Sequence, residues 1–296
     1  MEIIKAFTGA FWGTINWTWQ SMTFNVPWYM NYFWGLTLLS LLVWALEISF
    51  PWRKEQKIIR KDFWLDSVYM YFNFFVFAFF LNGFFSAIGL GLSYLGLTMQ
   101  SIALVEVSAW PMWVQLFTFF VVLDFFQWST HVALHKIPAL WQFHKVHHSV
   151  QEMGFAAHLR YHWMENVFYK PAKTIGVMLM GGFEPEMAYI VHFLAITIGH
   201  FNHANIRITW GPLRYIVNNP VMHLYHHAKV MPKRQSAGVN FGISLSIWDY
   251  IFRTSYVPEA DGEIPLGFDN MEEFPSDFVN QNLYGFKSKN QGHLRR

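Results

Sequence analysis

The sequence predicts an all-α fold, a multi-span integral membrane helical bundle. Two features of the composition support this class. Only 14% of the 296 residues are charged, whereas a soluble domain carries about 25%, and 53% are hydrophobic. Several apolar runs also reach the roughly 20 residues that a helix needs to cross a bilayer. The absence of cysteine excludes disulfides, iron–sulfur clusters and thiolate metal sites. A net charge of only +2 argues against a nucleic-acid partner.

Three apolar runs predict membrane spans at residues 29–50, 67–90 and 112–130. Before them, an aromatic stretch around Trp12 and Trp17 predicts an interfacial segment. The connection after the first span is basic, and cytoplasmic loops are enriched in Lys and Arg. We therefore expect that connection, and the end of the third span, to face the cytoplasm.

A fourth apolar run, residues 174–203, is broken at 181–186 by glycine, proline and charged residues. It therefore predicts two shorter helices, 167–180 and 187–203, which form a hairpin. A hairpin returns its last residues to the cytoplasmic side. Beyond it, residues 243–252 predict a short amphipathic helix, and a polar, peripheral tail follows.

Histidine is the most informative residue type, because 13 of the 14 histidines fall between residues 131 and 227. Most occur in short repeated patterns, H-x-x-x-H once and H-x-x-H-H twice. Positions i, i+3 and i+4 of a helix share one face, so each pattern presents several imidazoles in one direction. The patterns comprise His131 and His135, then His144, His147 and His148, then His223, His226 and His227. Eight ligands exceed the four of a tetrahedral zinc site, which indicates two metals; all-histidine sites suit iron, zinc, copper or nickel.

Few carboxylates accompany these histidines. A metal-bound histidine usually donates its other ring N–H to a carboxylate or a carbonyl. Asp124 is the first candidate for this role, because it lies seven residues before His131 on the same helical face. Glu165 and Asp249 are further candidates, with a solvated charge as the alternative for each.

These motifs resemble the fatty acid hydroxylase/sterol desaturase superfamily of membrane histidine-box dimetal oxygenases. The resemblance covers residues 115–255, and within the superfamily the chain looks most like the alkylglycerol monooxygenase-type branch and its bacterial relatives. Phe241 departs from the pattern, since many members have tyrosine there. The resemblance rests on these motifs: His131-Val-Ala-Leu-His135, Trp141-Gln-Phe-His144-Lys-Val-His147-His148-Ser149, His223-Leu-Tyr-His226-His227, Leu123-Asp124-Phe125, Asn240-Phe241-Gly242 and the run 247–252.

The resemblance implies two iron ions and O₂, with hydroxylation or desaturation of a lipid such as a sterol, fatty acyl chain, sphingoid base or ether lipid. It maps the family's box histidines onto the eight above and a further one onto His203. His200 and His162 are additional candidate ligands, and His158 is a candidate for supporting a ligand. No catalytic residue beyond the ligands is implied. The chain has no Rossmann fingerprint, haem-binding box or cysteine cluster, so the electron donor is external, a redox protein or a pterin.

The chain divides accordingly into three parts. Residues 1–110 hold the interfacial segment and two spans, 111–255 the hydroxylase-like catalytic region, and 256–296 the tail. We expect a multi-pass protein of the bacterial inner membrane or endoplasmic reticulum, with the metal site on the cytoplasmic side. Two alternatives stay open. A membrane zinc hydrolase would need an H-E-x-x-H helix, which is absent. A metal-handling protein such as a transporter would hold its ligands near the bilayer midplane rather than at the ends of spans.

Overall fold

A computed structural model describes residues 1–183, 185–230, 237–257 and 264–287. Short 3₁₀ turns occur at Trp28–Met30, Phe155–Leu159, Gly211–Tyr215 and Met271–Glu273, and a helical turn at Met99–Ile102. Strands β1 (Val105–Glu106) and β2 (Met180–Gly181) form one short parallel pair. The described α-helices are α1 (Glu2–Met22), α2 (Tyr32–Ser49), α3 (Phe63–Tyr94), α4 (Met112–Lys136), α5 (Pro138–His148), α6 (Met164–Met178), α7 (Pro185–His203), α8 (Pro220–His226), α9 (Ile247–Ile251) and α10 (Phe278–Lys287).

Helices α2, α3 and α4 are long and apolar enough to cross a membrane, by length and composition. They overlap the three predicted spans, so the predicted helical membrane class is confirmed. α3 contains a π-helical segment at Phe72–Val76. α4 extends past the predicted end at residue 130, so His131 and His135 lie in the last turns of this helix rather than after it.

The predicted interfacial segment is a helix of 21 residues, and α1 packs lengthwise against α3. Phe7 contacts Phe84 edge to face, with 6.0 Å between ring centroids. Gly83 permits the close approach, because a Cβ there would lie 2.9 Å from the Phe7 ring. Trp12 and Trp19 remain exposed on the outer side of α1.

The predicted hairpin is present as α6 and α7, with residue 184 outside the described residues. Proline in a helix interior removes a backbone hydrogen bond, and Pro171 occupies such a position in α6. α6 packs closely on α4, because a Cβ on Gly176 would lie 2.5 Å from the Phe126 ring. This packing places the first turn of α6, with Glu165, beside α5.

The described part of the predicted tail packs onto the bundle. Phe268 and Phe274 are buried in a cluster with Trp141 of α5. α10 lies across α5 so closely that a Cβ on Gly285 would meet the Phe143 ring at 2.4 Å. The spacing of apolar residues after position 264 is too sparse to predict this, since single aromatic residues carry the contact.

Candidate metal centre

The histidine patterns converge into two buried groups. In each group the candidate ligand atoms all lie within 4.8 Å of one another. We call the first the five-histidine group, which consists of His131, His135, His144, His148 and His226. We call the second the four-histidine group, which consists of His147, His203, His223 and His227.

Helix geometry explains how each pattern is divided between the groups. Residues four apart lie almost above one another, whereas neighbouring residues point about 100° apart. His144 and His148 accordingly share the five-histidine group, and His147 between them turns to the four-histidine group. In the last pattern His223 and His227 share the four-histidine group. Each H-x-x-H-H motif therefore serves both groups, which holds them side by side.

Hydrogen bonds fix the tautomer of several of these rings. A carbonyl oxygen can only accept, so each Nδ1 below carries the proton and leaves the Nε2 lone pair for a metal. The donors are His131 Nδ1 to the Phe241 carbonyl at 2.7 Å, His147 Nδ1 to Arg160 at 3.0 Å, His203 Nδ1 to Gly199 at 2.8 Å and His226 Nδ1 to Val239 at 2.8 Å.

Glu165 performs the same function for His144, whose Nδ1 lies 2.9 Å from Glu165 Oε2. The other carboxylate oxygen accepts the backbone N–H of His162 at 3.3 Å. Glu165 is buried, and desolvation raises its pKa to about 7. Because both of its oxygens are used, its position suits orienting a ligand.

The spacing of the Nε2 atoms fits bound metal ions. Two imidazole nitrogens at about 2.1 Å from one ion, separated by 90–110°, lie about 3.0–3.4 Å apart. The observed Nε2–Nε2 distances are 3.1 Å for His131–His144, 3.1 Å for His135–His148, 2.9 Å for His203–His223, 3.2 Å for His223–His227 and 3.4 Å for His147–His203. His226 Nε2 is buried and has no hydrogen-bond partner among the described residues, as expected of a ligand atom.

Burial keeps the imidazoles neutral, which is the form that binds metals. Desolvation and the neighbouring His144 lower the pKa of His147 to about 4. The pKa values of His223 and His227 are also lowered by desolvation and by other histidines of the cluster.

Asp249 and Asp124 act through the loop 239–245 rather than on a ligand. Asp249 accepts the backbone N–H groups of Phe241 and Gly242 at 2.9 and 2.7 Å. Asp124 accepts those of Ser244 and Leu245, each at 3.3 Å. Carbonyls of this loop accept hydrogen bonds from His131 and His226. Both carboxylates therefore position these ligands indirectly, by holding the loop. Glu165 makes the direct contact that the sequence suggested first for Asp124.

A buried ion-pair network supports His147, and the sequence analysis did not identify it. Arg160, whose carbonyl accepts from His147, is 1% exposed. Its Nη1 lies 2.9 Å from Asp66 Oδ1 and 3.1 Å from Asp62 Oδ2, and Arg60 pairs with the other Asp66 oxygen. Arg160 lies about 100 residues after Asp62 and Asp66 in the chain, so no local motif predicts these contacts.

Three predicted histidines lie outside both groups. His162 Nδ1 accepts from the Met164 backbone N–H at 3.0 Å, and its Nε2 lies 2.9 Å from the Asn282 carbonyl, so neither nitrogen is free. His200 Nε2 contacts Ser40 Oγ at 3.2 Å, and its Nδ1 lies 2.8 Å from His158 Nδ1. His158 in turn has its ring centroid 5.1 Å from that of His203.

Two cavities with partly shared walls lie near the histidines. A small cavity of about 140 Å³ is lined by members of both groups, among them His131, His147 and His223. A large cavity of about 940 Å³ extends between α1, α3, α4, α6 and α7 with mostly apolar walls. They share lining residues that include Gln127, Lys173 and Ala195. The large volume lies near the upper end of the 300–1,000 Å³ typical of small-molecule sites.

Comparison with known proteins finds a family whose sequence model matches the histidine region. Residues 116–254 match the sequence model of the family described as fatty acid hydroxylase. No solved structure matches the chain significantly.

Three curated relatives illustrate the range of similarity. An ornithine lipid hydroxylase OlsE of Rhizobium tropici is 30% identical over 158 residues, which is 53% of this chain and 46% of the relative. The alkylglycerol monooxygenase of Homo sapiens is 29% identical over 149 residues, 49% and 30% of the two chains. Methylsterol monooxygenase erg25B of Aspergillus fumigatus is 27% identical over 161 residues, 52% and 51%.

The match therefore covers about half or less of each relative's own length. The family model's match, residues 116–254, includes all nine clustered histidines and their supporting residues Asp124, Glu165 and Asp249. The resemblance seen in the sequence is thus confirmed: this part of the chain matches the fatty acid hydroxylase family and is similar to lipid hydroxylases and monooxygenases.

Proposed function

We propose that the protein is an O₂-dependent membrane oxidoreductase that hydroxylates, or desaturates, a lipid at a pair of iron ions. The five- and four-histidine groups are the two metal sites of this proposal. The single observation that carries it is that both groups line a small cavity whose wall is partly shared with a large, mostly apolar cavity. The relatives named as hydroxylases of ornithine lipid and monooxygenases of alkylglycerol or methylsterol support a lipid substrate.

In this proposal the residues of the chain bind the metals, orient the substrate and exclude water from the site. When bound, redox-active metals supply the oxidising power that breaks an unactivated C–H bond. Histidine rings whose Nδ1 atoms are tethered keep their Nε2 atoms in place, which limits reorganisation during the reaction. The apolar walls of the large cavity align the chain of the substrate, and the small cavity admits only the reacting segment. Hydroxylation consumes one O₂, two electrons and two protons, and yields the alcohol and water.

We propose that the electrons come from an external redox protein or a pterin. We further propose that the site faces the cytoplasm of a bacterial inner membrane or endoplasmic reticulum. The basic connection after α2 supports this side, because it lies at the site's end of the bundle. Arg53 donates to the Met153 carbonyl at 2.8 Å, and its backbone N–H donates to Asn205, two residues after His203. Basic connections face the cytoplasm.

The zinc hydrolase alternative needs a carboxylate free to activate a water molecule. Glu165 is a carboxylate in contact with a clustered histidine, and its oxygens are occupied by His144 and the His162 backbone. This arrangement favours the oxygenase over the hydrolase.

Oxygen incorporation tests the proposal. The purified, iron-loaded protein is incubated with a chemical reductant, a membrane lipid extract and ¹⁸O₂, and the lipids are analysed by mass spectrometry. We expect lipid-dependent O₂ uptake and a lipid product, with ¹⁸O in the product if the reaction is hydroxylation and a mass loss of two hydrogens if it is desaturation. An iron-loaded protein that neither consumes O₂ nor changes any lipid would refute the proposal.

A further inference from the structure

Two lysines in the wall of the large cavity are not used by the metal centre. Lys170 and Lys173 lie three residues apart on α6, and both line the large cavity. Residues with this spacing share one face of a helix. Lys173 also lines the small cavity beside the histidines. A cavity with mostly apolar walls is a costly place for an ammonium group without a directly paired anion.

No carboxylate among the described residues forms an ion pair with either lysine. Lys170 Nζ donates to Asn82 Oδ1 and lies 5.0 Å from the centroid of the Phe85 ring. Lys173 Nζ lies 5.8 Å from the centroid of the Tyr169 ring. These contacts are to neutral groups; Asp124 attracts the Lys173 ammonium at a distance, but no described carboxylate pairs directly with either lysine.

Asp124 is the acidic residue that lines the large cavity. Its oxygens already accept from Ser244, Leu245 and the indole N–H of Trp248, the last at 2.9 Å. Among the described residues that line the large cavity, two are therefore cationic and one is a carboxylate. The oxygens of that carboxylate already accept hydrogen bonds from the protein. Lys173 lies where the two cavities share lining residues, and the Glu165 carboxylate that lines the small cavity is occupied by His144 and the His162 backbone N–H.

We propose that Lys173, assisted by Lys170, binds the anionic headgroup of the lipid substrate, a carboxylate or a phosphate. This inference rests on the proposed function, because it assigns the substrate class of the same site. The apolar part of the large cavity takes the hydrocarbon chain. Lys173 holds the oxyanion where the large cavity and the small cavity beside the histidines share their walls. A neutral lipid of the same length lacks this charge-assisted contact.

Lipid binding without turnover tests the proposal. The detergent-purified protein with its metals is titrated anaerobically, without reductant, with three probes of equal chain length: a fatty acid, a lysophosphatidate and a monoacylglycerol. We expect either anionic probe to bind about tenfold or more tightly than the neutral one. The tighter of the two anionic probes identifies the headgroup chemistry.

Matched variants locate the effect. Lys173→Gln should remove most of the preference for the anionic probe, Lys170→Gln part of it, and Lys173→Arg should retain it. Lys57→Gln removes an exposed lysine outside the cavities and should change nothing. If Lys173→Gln does not fold, the inference is tested by whether the unaltered protein and Lys173→Arg both prefer the anionic probes to the neutral one.

Equal binding of neutral and anionic probes, or a full preference in folded Lys173→Gln, would overturn the inference. If the unaltered protein oxidises lipids but shows no preference, only this inference fails. If it prefers the anionic probe but oxidises no lipid, the proposed function fails instead.

Discussion

The orientation of individual histidines in this centre is set by the hydrogen-bond partners of their Nδ1 atoms. Four Nδ1 atoms donate to backbone carbonyls, and that of His144 contacts the Glu165 carboxylate. A backbone carbonyl cannot be removed by substitution, but the carboxylate can. Glu165 is therefore the residue at which the importance of this support can be measured.

We predict that Glu165→Gln lowers metal affinity about 10- to 100-fold, the usual effect of removing a hydrogen-bond partner of a ligand. The charge that stabilises the His144 N–H is lost, while the side-chain volume stays the same. Competition with a chelator measures the affinity. Glu55→Gln, at an exposed position, is the control. Unchanged affinity in the Glu165 variant would show that His144 needs no such partner.

Asp66 supports His147 through Arg160, and we predict that Asp66→Asn is strongly destabilising. Removing one partner of a buried ion pair costs about 3–5 kcal/mol, because the remaining charge stays buried. Denaturant or thermal unfolding in detergent measures the loss, and metal content shows whether His147 has shifted. Asp269→Asn, at an exposed position, should leave both unchanged. A variant at position 66 as stable as the unaltered protein would contradict the role of the network.

The sequence predicted the clustered histidines well and their supports poorly. Each H-x-x-H-H motif is local, so its helical face can be deduced from the spacing alone. The supports are distant in the chain: Val239 and Phe241 contribute backbone carbonyls, which no residue type reveals. His162 matched the family pattern, yet its environment differs, because α10 supplies the Asn282 carbonyl to its Nε2.

At the level of helices, close packing depends on glycines in α3, α6 and α7. Gly199 of α7 is the one nearest the metal centre, since a Cβ there would lie 2.2 Å from His158 Nε2. Its carbonyl also accepts from His203. The helix and the 3₁₀ turn Phe155–Leu159 can therefore approach only while residue 199 has no side chain.

We predict that Gly199→Ala destabilises the protein and weakens metal binding in the four-histidine group. Alanine in a helix interior normally stabilises by roughly 0.5–1 kcal/mol relative to glycine, so the sign is reversed here by the clash with His158. Gly9→Ala in α1 meets nothing within 4 Å and should be neutral or stabilising. Thermal unfolding of both variants gives the comparison. Equal stabilisation by both would mean that His158 moves aside freely.

The helices themselves were largely predictable, because long apolar runs and the break at 181–186 are strong signals. The packing of α1 and α10 was not. The aromatic residues of α1 predicted a segment at the membrane interface, and several of their side chains pack against α3. α10 is held by a few contacts with α5, and these depend on the tertiary structure.

Over the whole molecule, the large cavity and the small cavity beside the histidines share lining residues, and the proposed substrate route runs through both. Ala195 of α7 lines both cavities, so its small side chain would keep this route open. We predict that Ala195→Leu reduces lipid-dependent O₂ uptake at least tenfold without loss of metal, because the added carbons narrow the passage. Ala188→Leu, which lines only the large cavity, should have a smaller effect. Uptake equal to that of the unaltered protein in Ala195→Leu would place the route elsewhere.

The central claim is that one chain holds two adjacent metal ions in the five- and four-histidine groups. Metal analysis of the purified protein, expressed with iron supplied, tests it most directly when His226→Ala and His147→Ala are measured beside the unaltered chain. We predict about two irons per chain, and little metal in either variant because the groups share the H-x-x-H-H motifs. Full iron loading in both variants, or stoichiometric zinc that iron cannot replace, would contradict the account.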